Sequence, residues 1–185
     1  MSALYKTFKA GRIGPYSQIK WPKRLGAWVA VDGPLELCRN GIHVARGEGE
    51  LLEWLHDEVY EVEVRGESIE GDTKSCHESV RLVRRVTTLD DRALRLFAAD
   101  CAERALSLAD EPDPRSVEAI RVARLFAKGE ASRDELAAAW AAARDAAWAA
   151  ARDAASVAAE ATGREWQAER LRWYIAGNEW TEGDA

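Results

Sequence analysis

The 185-residue chain predicts an α+β fold in two parts: a small, mostly-β N-terminal unit with one short helix, followed by a C-terminal bundle of about four helices. Three observations predict it. Up to about residue 87, short apolar runs alternate with polar residues and are punctuated by Gly, Pro and Asn, which is the patterning of strands and turns. From Thr88 onward the apolar residues recur at helical spacing instead. Charge divides at the same place: residues 1–88 carry 13 basic and 13 acidic side chains, residues 89–185 carry 13 and 19, so the net charge of −6 lies wholly in the second part. The expected division is a domain over 1–87, a helical bundle over 88–176 and a polar tail over 177–185.

In the first part, Leu4-Tyr5-Lys6-Thr7-Phe8 alternates like a half-buried strand, residues 27–31 form a second, and Ile42-His43-Val44-Ala45 follows an Asn40-Gly41 turn as a third. Residues 48–57, with Leu51, Leu52, Trp54 and Leu55, read as one short helix. The clearest strand is 59–64, with Val59 on the face opposite Tyr60, Val62 and Val64, and residues 79–86 form the last.

In the second part, Thr88 with Asp91 three residues on predicts a capped start, and Leu89, Leu94, Leu96, Phe97, Cys101, Leu106 and Leu108 supply the buried stripe of a helix running to about Ala109. Glu-Pro-Asp-Pro at 111–114 interrupts it. Asp113 caps a second helix with Pro114 in its first position; that helix carries Val117, Ile120, Val122, Leu125 and Phe126 and stops at Gly129. Ser132 and Glu135 form a second capping box, and a third helix is expected from about Arg133 to Thr162, roughly 45 Å long. Gly163 is expected to end or kink it before a last amphipathic helix over 165–175.

The third helix contains an eight-residue block twice in tandem, Trp140-Ala-Ala-Ala-Arg-Asp-Ala-Ala and the same again from Trp148. Trp140, Arg144, Trp148 and Arg152 therefore stand every fourth residue, in one row on the helix. An octad advances about 80° past two full turns, so the row drifts and the preceding helices can bury only part of it. Trp and Arg are the types enriched at interface hot spots, and these four are the candidate partner-binding residues. The structural alternative is that the indoles are knobs packed on the two preceding helices.

The chain excludes several function classes. Three cysteines with no CxxC pair argue against a disulfide framework, and the start of the chain shows no apolar signal core, so a cytoplasmic protein is expected. No stretch is apolar enough to cross a bilayer, and a net acidic chain without a basic cluster lacks the footprint of a nucleic-acid binder. Cys38, His43, Cys76 and His77 are the inventory of a zinc site, but Cys76 and His77 are adjacent and on a strand would point to opposite faces, so no metal is expected. The glycines form no GxGxxG or P-loop, and no cofactor is expected. His43, on a short strand after a Gly-containing turn, is the candidate for chemistry, with Glu63 as its acidic partner.

Two resemblances follow from these residues. Residues 3–86, with Tyr5-Lys6, Trp28, the segment Leu37-Cys38-Arg39-Asn40-Gly41-Ile42-His43 and the strand Tyr60-Glu61-Val62-Glu63-Val64-Arg65-Gly66, resemble an uncharacterised domain of actinobacterial and phage proteins. Residues 92–175, with Leu94-Arg95-Leu96-Phe97-Ala98-Ala99-Asp100-Cys101-Ala102-Glu103-Arg104 and the Ala/Trp/Arg helix, are similar to immunity proteins of bacterial toxin systems. They imply a non-enzymatic, protein-binding module of a phage or mobile element, acting by steric occlusion as an immunity protein or as an inhibitor of a defence or toxin factor. Its partner would be another protein, basic to suit the acidic helical half, or a second copy of the chain; neither nucleic acid nor a membrane is expected. The Gly41-Ile42-His43 segment also resembles ADP-ribosyltransferase-like folds, which implies the alternative of an NAD-dependent enzyme in the first half with His43 as ligand or base and Glu63 assisting.

Overall fold

The computed structural model describes residues 3–109, 111–150, 157–178 and 180–181, with the backbone alone for 144–150 and 157–162. Two compact units divide the chain, residues 1–89 and 90–185. The first contains strands β1 (Leu4–Phe8), β2 (Trp28–Ala30) and β3 (Ile42–Arg46), a one-turn helix α1 (Gly47–Leu51) with a 3₁₀ turn over Leu52–Trp54, and the long strands β4 (Glu58–Glu70) and β5 (Ser75–Arg85). The second contains α2 (Asp91–Leu106), α3 (Pro114–Lys128), α4 (Arg133–Ala150) and α5 (Val157–Ile175). The α+β architecture is the one the sequence predicts. No helix among the described residues is long and apolar enough to cross a membrane.

In the N-terminal unit every strand pairing is antiparallel and the sheet closes on itself. Tyr5 of β1 lies between Ala45 of β3 and Glu61 of β4, while Cys76 of β5 lies between His43 of β3 and Ile69 of β4. The ring β1–β4–β5–β3 thus has no free edge among its own strands, and β2 adds beside β5 through Trp28 and Arg81. Alternation does the rest: Phe8, Ile42, Val44, Tyr60, Val62 and Val80 face inward and, with Trp21, form the core. Tyr5, Ala45 and Val59 are buried on the other face, where α1 packs on β1 and β3. β4 and β5 run well beyond the predicted 59–64 and 79–86, because residues 65–70 pair with 75–79 although both stretches are too polar to read as strands.

In the helical unit, α2 packs on α3 and α5, and α3 packs on α4. Asp113 accepts from Arg115 N at 2.8 Å, Gly129 is left-handed at φ 81°, and Ser132 and Glu135 bond reciprocally at 2.7–3.2 Å, so the caps of α3 and α4 are those predicted. Four expectations are corrected. The cap of α2 is Asp90, which accepts from Ala93 N at 2.8 Å, not Thr88; Leu89, buried, belongs to the first unit and so cannot open the helix. Leu108 is 61% exposed because α2 already ends at Leu106, and Val117 is 51% exposed because the buried face of α3 falls on Ala119, Ile120 and Val122. Gly163 neither stops nor separates helices: α5 runs through it from Val157, with no positive φ at that residue.

Candidate protein-binding groove

Two recesses mark the helical unit. The larger, about 740 Å³, is a groove between α2, α3 and α4. It is lined by alanines, Ala98, Ala102 and Ala105 from α2 with Ala119 and Ala123 from α3, and by Leu94, Leu106, Ile120 and Phe126. Small side chains keep the helical cylinders thin, so among the described residues the space above these methyl groups stays open. At one end the Arg95 guanidinium lies 5.0 Å from the Phe126 ring centre. At the rim Trp140 lines the groove and still leaves 56% of its surface exposed.

The smaller recess, about 500 Å³, lies between α2 and α5 beside an ionic clamp. Asp100, buried in α2, accepts from Arg124 Nη2 of α3 at 2.9 Å, and from Arg170 Nε at 2.7 Å and Tyr174 Oη at 2.8 Å of α5. Arg124 also forks onto Glu103 at 2.8 and 2.7 Å and lies 4.6 Å from the Trp180 ring centre. The Arg124 hydrogen bonds hold the Glu103 carboxyl below its ordinary range, and burial with the bond to Asp100 raises the Tyr174 phenol. Burial also pushes the Cys101 thiol up to about 11, which leaves it unreactive at neutral pH. The clamp ties three helices together; it is structural, whereas the groove is open.

The predicted site residues fall in different places. Trp140 stands on the groove rim. Arg144 and Trp148 continue the same helix with the backbone alone described, and Arg152 lies outside the described residues. His43 is half-buried on β3; its Nε2 accepts from Cys38 N at 3.0 Å, and Lys6 Nζ donates to its carbonyl at 2.9 Å. Burial first, then the neighbouring Lys74 and Lys6 charges, push the imidazole down to about 4, and burial pushes the Lys6 amine down to about 8. Glu63 is exposed on β4 and paired with Arg81, whose Nε donates at 2.8 Å. His43 sits opposite Cys76 and Glu63 opposite Arg81, on different edges of β5 and about 17 Å apart along it, so the two do not share a site. Cys38 is exposed, Cys76 buried and Cys101 intermediate, all free, and no three metal-binding side chains converge among the described residues.

Leu94, Leu106 and Phe126, expected in a core, are half-buried and line the groove. The signal that distinguishes the two leucines is the small-residue row Ala98, Ala102 and Ala105 beside them on α2, and for Phe126 it is Ala123 one turn earlier on α3. No curated protein and no solved structure is significantly similar to this chain. Residues 2–91 match the family model of a domain of unknown function (DUF7666), and residues 84–168, which contain α2, α3, α4 and the groove between them, match that of an Imm-5 like putative immunity protein.

Proposed function

We propose that the helical half is an immunity module that captures a toxin protein in the groove of α2, α3 and α4 and blocks it by occlusion. The observation that carries this reading is Trp140, a large aromatic left more than half exposed beside an apolar, alanine-lined channel. Such an anchor beside a concave apolar surface is the composition of a binding hot spot. The match to an immunity-protein family supports a protein partner, and the excess of acidic side chains over residues 89–185 suits a basic one. Arg144, Trp148 and Arg152 extend the contact along α4 in this reading.

Co-expression of the intact chain with a candidate toxin from the same genome tests it. Wild type should restore growth and co-purify with the toxin. Ala102→Arg puts a large charged side chain, from a good helix former, into the groove lining, and Trp140→Ala removes the anchor. Both should abolish protection while helical circular dichroism is retained. Full protection by Ala102→Arg would exclude the groove as the contact, and loss through concentration-dependent self-association would point to a second copy as the occupant.

A further inference from the structure

Residues 1–31 contain six Lys or Arg and no Asp or Glu, so every one of the 32 acidic residues lies beyond them. Within this stretch, residues 9–26 form a stitched loop between β1 and β2. Lys9 and Ile13 exchange backbone hydrogen bonds at 2.9 and 3.3 Å, Gly14 N donates to Ile19 O at 2.8 Å, and Trp21 N donates to Arg12 O at 2.9 Å. Arg12 Nη1 fastens the second leg through the carbonyls of Pro22 and Lys23, at 3.0 and 2.6 Å. Trp21 anchors the base in the core, 5.2 Å edge-on to Phe8.

A loop held this firmly nevertheless exposes its apolar side chains. Tyr16 is 76% exposed, Ile19 63% and Leu25 44%, three of the seven large apolar residues exposed to this degree in the described structure. Around them Lys9, Lys20, Lys23 and Arg24 are exposed, and none pairs with a described carboxylate. The two acids at the base are occupied: Asp57 accepts from Ala10 N and Glu58 from Gly11 N, each at 2.9 Å. Cations flanking exposed aliphatic groups on a preformed loop are the chemistry of an anionic lipid surface, where acyl chains receive the apolar tips and headgroup phosphates the charges. A nucleic acid would use the charges but binds by stacking successive bases on several aromatic faces, and this loop exposes one aromatic side chain, Tyr16, with Trp21 buried at its base. Ile19 and Leu25 offer a polyanion in water nothing.

We propose that this loop docks the N-terminal unit on an anionic lipid surface, with Tyr16, Ile19 and Leu25 entering the headgroup boundary and Lys20, Lys23 and Arg24 pairing with phosphates. The site is independent of the helical groove and of its partner.

Co-sedimentation of the intact chain with vesicles of equal parts phosphatidylcholine and phosphatidylglycerol tests it, with phosphatidylcholine vesicles and a single-stranded oligonucleotide as comparisons. Binding should be confined to the anionic vesicles and weaken with salt. A basic side chain at such a surface contributes about fivefold, so Lys20→Ala with Lys23→Ala should weaken binding about 25-fold. Ile19→Ser should weaken it further at every salt concentration. All three positions are exposed, so the variants should keep the wild-type circular dichroism. Absence of binding to the anionic vesicles, indifference to both substitutions, or preference for the oligonucleotide unaltered by Ile19→Ser would each overturn the proposal.

Discussion

Asp100 shows what a single buried charge can organise. A carboxylate has about four acceptor positions, and three are taken by donors from two other helices, Arg124, Arg170 and Tyr174. The charge is affordable only because the two guanidinium groups neutralise it, and they in turn are held out of water with side chains 10% and 15% exposed. Asp100→Asn keeps the shape but leaves both cations against a neutral amide, with Arg124 retaining Glu103 and Arg170 losing the carboxylate it donates to. Breaking a buried pair by removing one member costs about 3–5 kcal/mol. Because Glu103 compensates part of it, the expected loss is near the lower figure, read as a fall in the denaturant midpoint of the helical unit. A change under about 1 kcal/mol would mean that water reaches the clamp and screens it.

At the scale of elements, α5 and the end of α3 pose opposite demands on glycine. Gly163 lies inside a helix with no positive φ, and a methyl group placed there would meet nothing within 4 Å. Gly163→Ala should therefore stabilise the helical unit by about 1 kcal/mol, through lower backbone entropy in the unfolded chain. Gly129 has equal room but a φ of 81°, so Gly129→Ala should cost about 1–2 kcal/mol despite the free space. Thermal melts of the two variants in opposite directions check this. The same contrast explains what was legible in the sequence. Local signals were: Asp113 with Pro114, Gly129, and the Ser132–Glu135 box lie within a few residues of what they cap. Gly163 misled because a helix tolerates an interior glycine when packing elsewhere supports it. The β4–β5 extension, the closure of the sheet through Tyr5 and Cys76, and the Asp100 clamp depend on partners distant in sequence, which periodicity cannot reveal. Trp140 was ambiguous for a related reason: a Trp at helical spacing reads alike whether it fills a groove or edges one.

At the scale of the molecule, the histidines are confined to one of the two units, and pH should separate the units. All three histidines, at positions 43, 56 and 77, lie in the N-terminal unit. His43 is pushed down to about 4, chiefly by burial, and His77, bonded to Ser75 Oγ at 2.8 Å, is also lowered by burial. A histidine whose folded form resists protonation contributes stability above its unfolded value of about 6.5 and loses it as pH falls toward the folded one. The helical unit behaves differently: Glu103, Glu118 and Glu135 are held below their ordinary values by hydrogen bonds, and Asp113 is lowered to about 2 by Arg115. Their contribution is intact above the ordinary carboxylate range and fades only as pH drops through and below it. Between about pH 6.5 and 4.5, then, only the N-terminal unit should weaken. Calorimetric scans across that window should show one transition moving to lower temperature while the other stays. Gly163→Ala identifies the stationary one, since it should raise that transition alone. A single transition throughout would mean that the units unfold as one cooperative body and that the histidines report on the whole chain, and two transitions that fall together would mean that groups of the helical unit also take up protons in this window.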